Sequence, residues 1–131
     1  MSEENVRVVR GFFEAWNAGD MKAVREIHDP DVILRTVENW PEPGPYIGRA
    51  AVMRWFGQLR DTWDDDEGEP INFIDAGDRV VVRFIYRGAG HHGPNLNMEF
   101  TCVFTLRNGT ISGLDFFWNH AEALKAAGLR E

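Results

Sequence analysis

Taken two residues at a time, the segment Met98 to Arg107 separates into Met98, Phe100, Cys102, Phe104 and Leu106 on one face and Glu99, Thr101, Val103, Thr105 and Arg107 on the other. The segment after the Asn108-Gly109 turn divides the same way, with Leu114, Phe116 and Trp118 against Gly113, Asp115 and Phe117. This alternation predicts a hairpin with one apolar, aromatic face that helices must cover. Residues 69–75 and 79–88 read as two further strands, and Val80, Val82, Phe84 and Tyr86 share a face opposite Val81, Arg83, Ile85 and Arg87. The inward set is therefore Val80, Val82, Phe84, Phe100, Cys102, Phe104, Leu114, Phe116 and Trp118.

The N-terminal half has the helical period instead. Val6, Val9, Phe13 and Trp16, widened by Val8, Phe12 and Ala15, predict an amphipathic helix from residue 3 to 18 that ends at Gly19. Asp20 caps a second helix over Met21, Val24 and Ile27, which stops at Asp29-Pro30 because proline disfavours helical geometry in the residue before it. Val32 and Leu34 begin a strand, the run Trp40 to Tyr46 is too proline-rich for regular structure, and Val52, Phe56, Leu59 and Trp63 mark a third helix from Arg49 to Trp63. Asn119 with Glu122 forms a capping box for a short last helix closed by Gly128. Three helices followed by a meandering antiparallel sheet make an α+β class, expected as one domain over residues 1–131.

Composition narrows the function classes. The 14 basic and 21 acidic residues give a formal charge of −7, which repels phosphate backbones and anionic lipid and leaves no basic stripe for nucleic acid. No run approaches the ~20 apolar residues of a membrane span, and no targeting segment is evident, so neither nucleic acid nor membrane is an expected partner and the expected location is cytoplasmic. The lone Cys102 excludes an intrachain disulfide and suits a reducing compartment.

Asn17-Ala18-Gly19-Asp20, Asp29-Pro30-Asp31-Val32, Gly48 before the third helix, Asp75 to Val82, and Phe116 to Leu124 occur in this order along the whole chain. In that order and spacing the chain resembles SnoaL-like proteins of the nuclear transport factor 2 superfamily, whose ketosteroid isomerase-like members share the fold. The resemblance implies a conical barrel in which a curved antiparallel sheet wraps three N-terminal helices, a deep pocket between them, and frequently a homodimer. It implies no particular chemistry, because one fold hosts many. Carried over by position, the isomerases' tyrosine falls on Phe12, their base on Thr36 and their second oxyanion donor on Cys102. A phenyl ring, a threonine hydroxyl and a thiol cannot do that work. The epoxide hydrolase arrangement meets Val80, Val82 and Phe116, and the cyclases' acidic residue corresponds only to Asp115, on the outer parity.

Other polar candidates have plain structural readings. Asp64-Asp65-Asp66-Glu67 reads as a solvated loop without calcium-loop spacing. His91-His92 reads as a surface loop without a third metal ligand, His28 as a capping or packing residue at the end of the second helix, and Cys102 as a small buried hydrophobe. No cofactor and no metal is called for. Glu38, Thr36 and Tyr86 are left as candidates for an acid-base step, Glu38 because it lies beside Trp40 at the expected mouth. The aromatic residues are either core or pocket, and the resemblance brings in the pocket: Phe12, Trp16, Thr36, Trp40, Phe56, Val82, Phe84, Phe100, Cys102, Phe116 and Trp118 are its expected wall. Its ligand is expected to be a hydrophobic small molecule of polyketide, terpenoid or steroid type, either turned over by a cofactor-free isomerase, cyclase or lyase or simply bound. On the outer sheet face Val81, Ile85, Val103, Ile111 and Phe117 stand among Arg83, Thr101 and Asp115 with no helix assigned to them, so a second copy of the chain is expected to cover them.

Overall fold

The structure, a computed structural model, describes residues 2–90 and 95–129. His91 and His92 lie outside the described residues. The elements are α1 (Ser2–Asn17), α2 (Met21–Glu26), β1 (His28–Arg35), β2 (Tyr46–Ile47), α3 (Arg49–Asp61), β3 (Asp65–Ala76), β4 (Arg79–Ala89), β5 (Leu96–Arg107), β6 (Thr110–Phe117) and α4 (His120–Ala126). The helices and most of the strands follow the two hydrophobic periods. Gly19 leaves α1 at φ 74°, and the Asp20 carboxylate accepts from the Ala23 amide to start α2. Asn119 does the same for α4 through the Glu122 amide.

The six strands form one sheet in the order β2-β1-β6-β5-β4-β3. It is an open sheet, not a closed barrel: β2 and β3 are its edges. It is also not purely antiparallel, since β1 runs parallel to β6, with Leu34 opposite Leu114. One face carries the main core. Val80, Val82, Cys102, Phe104 and Leu114 are fully buried there against Val9, Phe12, Phe13 and Trp16 of α1 and Val52 and Phe56 of α3. The predicted strand parity holds over β4 and β5.

Four local readings are corrected. The acidic run is not a solvated loop: Asp65, Asp66 and Glu67 begin β3, pairing with Ala89, Gly88 and Arg87. Tyr46 and Ile47 pair with β1 at the end of the proline-rich stretch, which is expected to contain no regular structure. Trp118 lies past the end of β6 and is 50 % exposed, so it is not part of the inward set.

The fourth correction concerns the outer face. Between Thr105 and Leu106 the β5–β6 register slips, so that Thr105 faces Gly113 but Leu106 faces Ile111. One residue of β6 is thereby skipped, and Ile111 turns into the main core, fully buried. The rest of that face is not left to a partner alone: α4 packs over Val81 and Val103 through Ala123 and Leu124, joined by Ala127 just past its end. A seven-residue helix is enough to cover two valines, whereas Ile85 and Phe117 stay half-buried.

Candidate functional site

Three elements converge on one space. Phe12, Phe13 and Trp16 come from α1, where residues three and four apart share a face; Trp55, Phe56 and Leu59 come from α3 by the same spacing. From the sheet, alternation presents Phe84 and Tyr86 of β4, Met98, Phe100 and Phe104 of β5, and Phe116 of β6. The chain leaving β1 adds Thr36, Val37 and Trp40, and Gly68 of β3 completes the wall. They line an apolar cavity of about 60 Å³.

The rings are tied to one another. Phe116 lies 6.0 Å from Trp55 and 6.3 Å from both Phe84 and Phe100, and Trp40 lies 6.2 Å from Trp55. These are aromatic contact distances, mostly edge-on or tilted, so the wall is held by its own packing.

The polar groups behind the wall are already engaged. The Tyr86 hydroxyl donates to Asp66 at 2.5 Å. Asp66, with a side chain 3 % exposed, also pairs with Arg60 at 3.2 Å. Arg60 in turn donates to the Trp16 carbonyl at 2.8 Å and lies 4.6 Å from the Trp16 ring centroid. Burial, then the bond to Asp66, push the Tyr86 hydroxyl well above the usual phenol range, so it does not ionise near neutrality. The network joins α1, α3, β3 and β4 through a charge pair whose aspartate is buried and whose arginine is partly exposed.

His28 stands next to this site. It is 1 % exposed, and its ring lies 5.5 Å from both Phe12 and Phe56. Nδ1 donates to the Val24 carbonyl at 2.6 Å, while Nε2 has no partner among the described residues. Burial, opposed by the bond to Val24 and aided by the Arg49 charge, lowers its pKa to about 4. Of the capping and packing roles open to it, it takes the packing one, as a neutral core histidine at the first residue of β1.

Of the residues expected to form the wall, Phe12, Trp16, Thr36, Trp40, Phe56, Phe84, Phe100 and Phe116 border the cavity. Val82 and Cys102 do not: both are fully buried in the sheet behind it. Burial also raises the Cys102 thiol well above its ordinary value, which leaves it without thiolate character. Trp118 borders the space only indirectly. Its ring stacks on Phe100 at 4.8 Å and its indole donates to the Glu38 carbonyl at 3.1 Å. Glu38 itself is exposed and does not border the cavity. Among the acid-base candidates, the structure thus brings Thr36 and Tyr86 to the wall and leaves Glu38 outside.

The sequence reading missed Phe13, Val37, Trp55, Leu59, Gly68, Met98 and Phe104 as wall residues. Met98 and Phe104 share the parity of Phe100, and Trp55 is three residues from Val52 and four from Leu59, so a wider stripe on α3 would have included it. Among the described residues no group of three or more His, Cys, Asp or Glu stands ready to hold a metal, and no helix is long and apolar enough to cross a membrane.

A family model described as SnoaL-like domain matches residues 9–114. No curated protein matches the chain. Among solved structures, Bal32a from a soil-derived mobile gene cassette is 24 % identical, with a TM-score of 0.81 and 88 % of each chain covered. TerC, co-crystallised with polyporic acid, is 17 % identical with a TM-score of 0.76, over 95 % of this chain and 98 % of that one. A hypothetical protein with a ketosteroid isomerase-like fold from Catenulispora acidiphila, in complex with trimethylamine, is 16 % identical with a TM-score of 0.73, over 93 % of this chain and 92 % of that one. At these identities the likeness is one of fold.

Proposed function

The chain belongs to the SnoaL-like domain family, and from that membership and the walls of its cavity we propose that it is a small-molecule-binding protein whose ligand is apolar and is held without chemistry. The observation that carries this reading is the apolar cavity surface between α1, α3 and the sheet. Apolar surface of this kind gains from water exclusion at roughly 25 cal/mol per Å² buried. Bound small molecules in TerC and in the Catenulispora protein accord with use of this fold for ligands. Phe12, Trp16, Thr36, Trp40, Phe56, Phe84, Phe100 and Phe116 are the proposed contacts.

The binder is preferred to the enzyme on one ground. A general acid or base needs a titratable group aimed at the reacting atom, and Tyr86, the ionisable side chain at the wall, spends its proton on Asp66. A second reading rests on the same pair. A cofactor-free isomerase, cyclase or lyase would use Tyr86 and Asp66 together, with Thr36 positioning the substrate. Tyr86→Phe separates the two: binding persists under the first reading, and turnover disappears under the second.

Binding itself is tested on the protein labelled at its methionine methyls, titrated with a panel of neutral hydrocarbons from one ring to four. Met98 borders the cavity and Met21 does not. Saturable 1:1 binding that moves the Met98 signal, leaves Met21 in place and is lost in Leu59→Phe supports the proposal. A panel with no binder refutes it. The homodimer is proposed on a smaller patch than the sequence suggested, Ile85 and Phe117, and light scattering near twice the 15.0 kDa chain mass is its measurement. A cytoplasmic location is proposed from composition alone.

A further inference from the structure

The cavity wall is uneven in what holds it. Most of its residues stand in helices or strands, where ladders of backbone hydrogen bonds fix them. Thr36, Val37 and Trp40 do not, because the pairing of β1 with β6 ends at Arg35 opposite Asp115. Burial singles out the same segment. Phe12, Phe13, Trp16, Phe56 and Phe104 are buried, whereas Thr36, Trp40, Trp55, Leu59, Met98 and Phe116 are half-buried. Of these half-buried wall residues, Thr36 and Trp40 alone lie outside helix and strand.

The segment is one turn with few ties. The Trp40 amide donates to the Val37 carbonyl at 3.2 Å, and Asn39 stands at φ 64°, a left-handed conformation that asparagine tolerates better than most residues. Val37 is buried in the main core and pins one end. Glu38 and Asn39 are exposed, and the Trp40 ring rests on Trp55 at 6.2 Å. One tie crosses from the sheet side: half-exposed Trp118 stacks on the wall residue Phe100 at 4.8 Å, and its indole N–H donates to the Glu38 carbonyl at 3.1 Å. Swinging Trp40 off Trp55 therefore breaks two hydrogen bonds and one ring contact, whereas moving the rest of the wall breaks a helix or strand ladder. Local opening is drawn to the part of a fold with the fewest such ties.

We propose that the Glu38–Trp40 turn is the gate of the cavity and that Trp118 is the latch that holds it shut. Trp118 does not border the cavity, so a seated ligand meets the same closed wall with or without the latch. It is a positioning residue that sets how fast a ligand enters and leaves, not how tightly it is held. The inference rests on the binding reading above and goes beyond it in naming the path of exchange.

Trp118→Phe tests it, because the phenyl ring keeps the stack on Phe100 and loses the N–H donor. Loss of one ordinary hydrogen bond raises the open population by roughly three- to tenfold. Naphthalene titrated into wild type and variant, followed by the line shape of the Met98 methyl signal, is expected to show both association and dissociation rates rising together by that factor, with Kd within twofold. Hydrogen exchange reads the gate without any ligand: the Trp40 amide should exchange faster by the same factor, and the Val82 amide in the middle of the sheet should not change. Equal rates in the two proteins, or a weaker Kd without faster association, overturn the latch. Equal acceleration at Trp40 and Val82 overturns it too, since Trp118 would then support the whole fold. Absence of naphthalene binding counts against the binding reading, and the Trp40 and Val82 comparison then decides the gate by itself.

Discussion

Lowering the pH from 7.5 to 4.5 should destabilise this protein through His28 before its carboxylates matter. The group sits at 1 % exposure between Phe12 and Phe56 with Nε2 unpartnered, and burial takes its pKa from 6.5 to about 4. In the unfolded chain the imidazole takes up a proton as pH falls through 6.5; in the folded chain it stays neutral until about 4. Between those values the unfolded state binds more protons, so stability rises with pH there and falls as the solution is acidified. Each pH unit separating the two protonation midpoints is worth about 1.36 kcal/mol, so the loss is on the order of 1 kcal/mol at pH 5.5 and about 2–3 kcal/mol at pH 4.5. That is a large share of an ordinary domain's stability. Asp29 acts in a different window: the Asp31 amide and then Arg107 hold its carboxylate below the usual value, so its contribution disappears only in stronger acid. The assay is urea unfolding followed by tryptophan fluorescence at pH 7.5, 6.5, 5.5 and 4.5, on wild type and His28→Leu. The variant loses the bond to the Val24 carbonyl, so its absolute stability is not the readout. The difference between the two proteins should shift by about 2–3 kcal/mol from pH 7.5 to 4.5, in favour of the variant. Parallel pH profiles would refute the reasoning and mean that protonated His28 finds a partner in the fold.

Three further outcomes follow from packing and from the missing catalytic groups. A Cβ on Gly88 would run into the Trp63 indole, so Gly88→Ala should cost about 1–3 kcal/mol, measured by thermal melting, through displacement of that ring; an unchanged melting point would show that Trp63 is free to move. Trp118 is half-exposed and contributes one stacked ring and one hydrogen bond, so Trp118→Ala should cost about 1–2 kcal/mol rather than the ~3–5 of a buried aromatic truncation. Chemical denaturation decides between them, and a full-sized loss would place the indole inside the core. With Phe12, Thr36 and Cys102 at the positions that the resemblance assigns to the isomerase groups, a Δ5-3-ketosteroid should show no turnover above buffer by absorbance; sustained isomerisation would refute the residue mapping.

The chain's local periods are enough to specify most of its elements. Period 3.6 in Val6–Trp16, period 2 in Val80–Tyr86 and Met98–Leu106, and the caps at Asp20 and Asn119 depend only on neighbouring residues, and they appear in the structure where the sequence puts them. The aromatic wall was legible in part for the same reason: Phe84, Phe100 and Phe116 share the inward parity of the strands. What the sequence could not supply depended on partners distant along the chain. Asp66 reads as one of four solvated acids until Arg60 and Tyr86 close on it. His28 reads equally as a cap or as packing until Phe12 and Phe56 bury it. The slip at Thr105, set by how β6 meets β5, reverses the side on which Ile111 lies, and α4 then folds over Val81 and Val103. Whether Val82 and Cys102 bound a space or lie behind it is likewise invisible to alternation, which assigns a face but not a depth. Depth is decided by how far the helices stand from the sheet, and only the tertiary structure sets that distance.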